Sequence, residues 1–155
     1  MQISPSSPFT LAVLHGPNLN LLGLREPNIY GVISFDAINR RIEDHAQRIG
    51  VQVRIQQSNH EGVLIDAIHD ALNWADGIVI NPGAYTHYAY AIADALRAVR
   101  LPTVEVHISN VHAREEWRHH SVVSPVVAGT IIGFGANSYV LALDALKTIL
   151  LESRQ

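Results

Sequence analysis

LAVLHGPNLNLLGLREPNIYG, residues Leu11–Gly31, sets a short apolar run directly against a long polar loop. Leu11–Leu14 has the length and composition of a parallel strand buried on both faces. A few residues normally suffice to lead such a strand into its helix. Here a Gly-, Pro- and Asn-rich segment intervenes, and it carries Arg25, Glu26 and Tyr30.

Further along, Ile78–Ile80, Val104–Val106 and Val126–Ile132 repeat the buried-strand pattern, while Val51, Val53 and Ile55 alternate with polar residues as in an edge strand. Helical stripes lie between them. Phe35, Ile38, Ile42, Ala46 and Ile49 form one, with Ser34 placed to cap it; Leu64, Ile65, Ile68 and Leu72 form a second. Ala91, Ile92, Ala95, Leu96 and Val99 form a third, and Val140, Leu143, Leu146 and Leu150 the last. The order β-α-β-α-β-α-β-(loop)-β-α predicts an α/β, flavodoxin-like three-layer fold around a five-stranded parallel sheet. Periodicity leaves the strand order open.

The chain of 155 residues is 48% hydrophobic and 16% charged, with a formal net charge of −3. These values suit one globular domain, read as residues 9–155 after an N-terminal extension, residues 1–8. No basic run marks a nucleic-acid binder, and no segment is long and apolar enough to span a membrane. MQISPSSPF does not resemble a leader, so the expected location is cytoplasmic. Cysteine is absent, which removes thiol nucleophiles, and Lys147 is the only lysine, a poor candidate for Schiff-base chemistry.

Three predicted strands end in polar sequences: HGPNLN, NPGAYTH and HISN. In a parallel sheet these ends share one edge, the edge at which open α/β sheets bind ligands. Asn18, Asn81, His87, His107 and Ser109 are therefore expected to converge. Asn beside Pro and Gly also serves simply to hold turns, and Glu105, on the same strand face as His107, also fits a purely structural pair. Amides, hydroxyls, imidazoles and arginines with little negative charge suit a small polyhydroxylated anion. No carboxylate cluster or H-E-x-x-H spacing points to a metal, and the adjacent His119 and His120 read as surface residues. GFGANSY, Gly133–Tyr139, lacks the third glycine of a dinucleotide fingerprint; tight helix-on-strand packing is the expected use of its glycines. A flavodoxin-like module binding FMN or another phosphate ligand would need a Gly-, Ser- or Thr-rich loop after the first strand, where GPNLNLLG stands instead.

HGPNLNLLGLREPNIYG, QSNHEGVLIDAIHDA, INPGAYTH and PTVEVHISNVHAREEWRHHS, followed by SP, GTIIGFG and SYVLAL, resemble the type II 3-dehydroquinate dehydratase family. The resemblance runs from Leu11 to about Leu150. It implies dehydration of 3-dehydroquinate to 3-dehydroshikimate through an enolate, in the shikimate or quinate pathway, with no cofactor, metal or imine. By the same resemblance Tyr30 is the base, Arg25 the arginine of a mobile lid, Asn18 an enolate stabiliser and His107 the general acid. Substrate contacts fall to Asn81, His87, Ile108, Ser109 and Arg118, with Arg114 near the base and Glu105 supporting His107. Asp94 matches a residue that reaches a neighbouring subunit's site in a homododecamer of trimers.

The chemistry asks much of Tyr30. With a pKa of about 10, a phenol is ionised only about one part in a thousand at neutral pH. Lowering that pKa by roughly three units takes about 4 kcal/mol, comparable to one guanidinium at about 4 Å under an effective dielectric near 20. Arg25 and Arg114 are the available cations. Gly23 and Gly31 bracket the Arg25–Tyr30 segment, so the long loop is expected to be a lid that carries the base and closes over substrate.

Overall fold

The computed structural model describes residues 8–24, 27–30 and 33–155. Its core is one all-parallel sheet of β1 (Thr10–His15), β2 (Gln52–Gln57), β3 (Gly77–Asn81), β4 (Thr103–His107) and β5 (Gly129–Ile132), in the order β2-β1-β3-β4-β5. This is the flavodoxin order, with the switch between β1 and β3. The strand with alternating polarity, β2, is an edge strand, as expected. The strands with continuous apolar runs, β1, β3 and β4, are interior and buried along almost their whole length.

The helices are α1 (Pro27–Tyr30), α2 (Phe35–Ile49), α3 (Glu61–Ala71), α4 (Tyr90–Val99) and α5 (Asn137–Glu152). Leu11, Val13, Val79, Val104 and Val106 point to one side of the sheet and pack with the stripes of α2 and α5. Ala12, Leu14, Ile78 and Ile80 point to the other and pack with α3 and α4. Three layers result, with a core on each face of the sheet. Ser34 caps α2 as predicted, its Oγ accepting the Ala37 N–H at 3.1 Å. Among the described residues no helix is long and apolar enough to cross a membrane.

Four local expectations need correction. The strand predicted over Val126–Ile132 begins only at Gly129, because Pro125 sits in a 3₁₀ turn, Ser124–Val126, and the Val126 amide is bonded back to the Val123 carbonyl. Val126 and Val127 instead pack against the α3–α4 core. Leu72 is 57% exposed because α3 stops at Ala71, which takes its place in the core. On α4 the buried stripe centres on Ile92, Leu96 and Val99, which turns Ala91 outward and brings Ala93 in. Val140 is only partly buried; Tyr139, one residue earlier, enters the core of α5 instead.

The apolar runs understate β1, β3 and β4 at their carboxyl ends. Each strand continues by one polar residue, respectively His15, Asn81 and His107. The sheet therefore delivers these three side chains to one edge with strand-like precision, rather than leaving them on loops.

Candidate active site

Two loops close the floor of that edge. The Gly16 N–H donates to the Asn81 carbonyl at 2.7 Å, and a Cβ on Gly16 would lie 2.4 Å from the Pro82 carbonyl oxygen. Only glycine permits the loops after β1 and β3 to approach so closely. Asn18 follows in the left-handed conformation, φ 67°, its N–H held by Asn59 Oδ1 at 3.0 Å. Leu19 and Leu22 are buried beneath and anchor this part of the loop.

Above the floor lies a cleft of about 130 Å³. Asn18, Asn81, His87, His107 and Ser109, the five residues expected to converge, all line it, and so do Ile108, Arg114 and Arg118. Arg25 and Gly31 lie outside the described residues, as does the Tyr30 side chain; the Tyr30 backbone ends α1. Asp94 is not in the cleft. It is exposed on α4, with Arg97 Nη1 3.5 Å from its carboxylate.

Glu105, fully buried on β4, is the electrostatic centre of the site's inner wall. Its carboxylate accepts from Thr86 Oγ1 at 2.7 Å, Ser124 Oγ at 2.8 Å, Ser121 Oγ at 3.1 Å and His107 Nε2 at 2.5 Å. Burial pushes its pKa up, but the bond and charge of His107 and the Thr86 and Ser124 hydroxyls outweigh that, and the net shift is downward. Glu105 is thus an acceptor-only carboxylate in a shell of donors. His107 Nε2 carries a proton toward it, which leaves Nδ1 as the nitrogen able to exchange a proton with a ligand.

On the opposite wall His87 meets the His120 carbonyl through Nδ1 at 2.7 Å and stands edge-on to Trp117. Burial lowers its pKa despite that carbonyl, and the charges of His107 and Arg118 lower it further against the pull of Glu105, so the net shift favours the neutral ring. Arg118 stacks over Trp117 at 4.1 Å and bonds Glu115 at 2.6 Å; Arg114 donates to Ser109 Oγ at 3.3 Å. Two guanidinium groups, two amides and a hydroxyl thus surround a space suited to a small anion.

Sequence reasoning missed Thr86, Ser121 and Ser124, which hold Glu105, and the buried His15 and Tyr139 beside Asn81, with the partly buried Asn39 next to them. Thr86 lies within NPGAYTH and His15 opens HGPN, so position in a polar strand end was the available signal. The glycines of GFGANSY also serve another purpose than expected. Gly133, φ +93°, lies against Asn110, and its N–H and that of Gly135 bond the His107 and Ile108 carbonyls. They fasten the loop after β4 rather than seating a helix on a strand.

The family model for class II dehydroquinases matches residues 9–147. A 3-dehydroquinate dehydratase of Trichodesmium erythraeum is 56% identical over 92% of this chain and 95% of its own. One from Caldicellulosiruptor bescii is 59% identical over 89% and 96%. The crystal structure of type II dehydroquinase from Butyrivibrio crossotus superposes with a TM-score of 0.90 at 50% identity, covering 92% of this chain and 99% of that one. With the same fold, and with a family match that spans residues 9–147, the chain belongs to the class II dehydroquinase family.

Proposed function

We propose that the protein is a 3-dehydroquinate dehydratase, eliminating water from 3-dehydroquinate to give 3-dehydroshikimate in the shikimate or quinate pathway. The observation that carries this reading is the buried Glu105–His107 pair, opening onto an arginine- and amide-lined cleft in a chain of this family. The reaction breaks one C–H and one C–O bond and forms a C=C bond and water. Tyr30, as phenolate, takes the proton next to the ketone, with Arg25 and Arg114 supplying the positive charge that lowers its pKa. Asn18 donates to the enolate oxygen, directly or through a water. His107 then protonates the departing hydroxyl, with Glu105 holding the ring in place through Nε2.

Asn81, His87, Ile108, Ser109 and Arg118 hold the substrate, and the segment from Gly23 to Gly31 closes as a lid. Residues 9–155 form one catalytic domain acting in the cytoplasm on this small molecule. The unit in solution is a homododecamer of trimers, with Asp94 reaching a neighbour's cleft. Its exposure on α4, near the exposed rings of Tyr88 and Tyr90, supports that role. Sedimentation of the purified protein tests the assembly.

The activity is tested by adding 3-dehydroquinate and following the ultraviolet absorbance of the conjugated product. Conversion is expected, and its absence overturns the reading. Tyr30→Phe is expected to remove turnover by a factor of about 10²–10⁴ while leaving substrate affinity nearly intact. Near-normal turnover in that variant would assign the base elsewhere.

A further inference from the structure

Asn81 contributes one side-chain amide to the cleft, and an amide offers either an acceptor or a donor depending on which way it is turned. The surrounding bonds decide the matter, beginning from a donor whose identity is fixed. The Gly83 backbone N–H lies 3.1 Å from Asn81 Oδ1, so that oxygen accepts and Nδ2 must face Tyr139, whose hydroxyl is 2.9 Å away. The hydroxyl oxygen accepts from Nδ2, so its own proton goes to His15 Nδ1 at 2.9 Å. His15 therefore carries its proton on Nε2 and donates it to Asn39 Oδ1 at 2.9 Å.

We propose that Asn39, His15 and Tyr139 form a positioning relay that fixes the Asn81 amide with its second N–H as a donor to the bound ligand. His15, Tyr139 and Asn81 are almost wholly buried, so each broken link strands a polar group away from water. Only a neutral imidazole satisfies both of its bonds. Burial supports this by lowering the His15 pKa to about 4, against the opposing pull of the Asn39 bond. Reversing the tautomer deprives the Tyr139 proton of its acceptor and leaves Asn81 Oδ1 as the nearest substitute, which turns the amide against the Gly83 N–H. The Phe35 ring, edge-on to His15 at 4.8 Å between centroids, keeps the imidazole in place.

The relay rests on the dehydratase reading for its kinetic test but not for its spectroscopic one. Tyr139→Phe keeps the ring and removes both links; it is expected to raise KM for 3-dehydroquinate about fivefold, the scale of one hydrogen bond, with kcat within about twofold. In an Asn81→Ala background the same change is expected to add nothing to KM. Additive effects, or an unchanged KM in Tyr139→Phe, would overturn the relay while leaving the activity standing. Should Tyr139→Phe fail to fold, Asn39 supplies the second arm at pH 8. Asn39→Leu removes the acceptor and raises KM, whereas Asn39→Asp keeps an acceptor and restores it; equal values in the two would count against the relay. Independently of turnover, nitrogen-15 NMR of the His15 ring should show the proton on Nε2, and a proton on Nδ1 would refute the bond order. An inactive wild type with that Nε2 signal removes the substrate and keeps the relay; an inactive wild type without it removes both.

Discussion

His15 and His107 end two strands of the same sheet, at the same edge, and point to opposite faces. His15 lies on the α2–α5 side among neutral partners, and burial lowers its pKa to about 4. His107 lies on the α3–α4 side against an ionised carboxylate that is itself held by hydroxyls. The two are about equally buried, so depth alone does not set what an imidazole does here. The partner does. Neutral partners hold one histidine as a strut between α2 and α5, and a buried carboxylate holds the other at the cleft, where we propose that it serves as the acid.

The widest separation between the two faces is expected in turnover. His107→Gln keeps a donor for Glu105 but cannot deliver a proton, so kcat should fall by about 10²–10⁴ with KM little changed. His15→Gln should lower kcat by less than about tenfold. Steady-state kinetics of the two variants side by side measures the gap, and equal losses would erase the distinction.

Acid should reverse the ranking. The His15 pKa is below its unfolded value of 6.5, so between pH 6.5 and about 4 the unfolded chain binds the extra proton and the folded one does not. Stability is therefore lost as pH falls through that window, by about 3 kcal/mol at its lower end. His87 acts in the same direction, and Glu105, with its lowered pKa, begins to contribute only below about pH 4.5. Urea denaturation of the wild type and of His15→Gln at pH 6.5 and 5 isolates the His15 share; parallel pH dependence in the two would show that it is absent.

The smallest effect belongs to a residue on neither polar face. Ser34→Ala removes the α2 cap and should cost about 1 kcal/mol without altering kcat or KM. A kinetic change in that variant would mean that α2, which carries Asn39, transmits general loosening to the site, and would blunt any reading of the more specific substitutions.

Much of this architecture was legible because burial on two faces leaves an unbroken apolar run, as in Leu11–Leu14 and Ile78–Ile80. The run Val126–Ile132 misled because Val126 and Val127 are partly buried too, but by a turn against α4 rather than by the sheet. The cleft residues were legible where a polar side chain ended such a run, as at Asn81 and His107. What supports them was not. Glu105 finds Ser124 19 residues away, and His15 finds Tyr139 124 residues away, and bonds across such separations leave no periodicity in the chain. The Tyr30 side chain and Arg25 stand apart from this accounting, since they lie outside the described residues.

Gly16 bears on how this cleft can change over evolutionary time. With a carbonyl oxygen 2.4 Å from where any β-carbon would sit, even alanine would drive a wedge between the turn bearing Asn18 and the turn bearing Gly83. The base of the pocket is consequently closed to gradual remodelling by substitution at that point. Any drift toward a bulkier or differently charged ligand has to come from other parts of the lining, such as Arg118 and the exposed Trp117 that it stacks on.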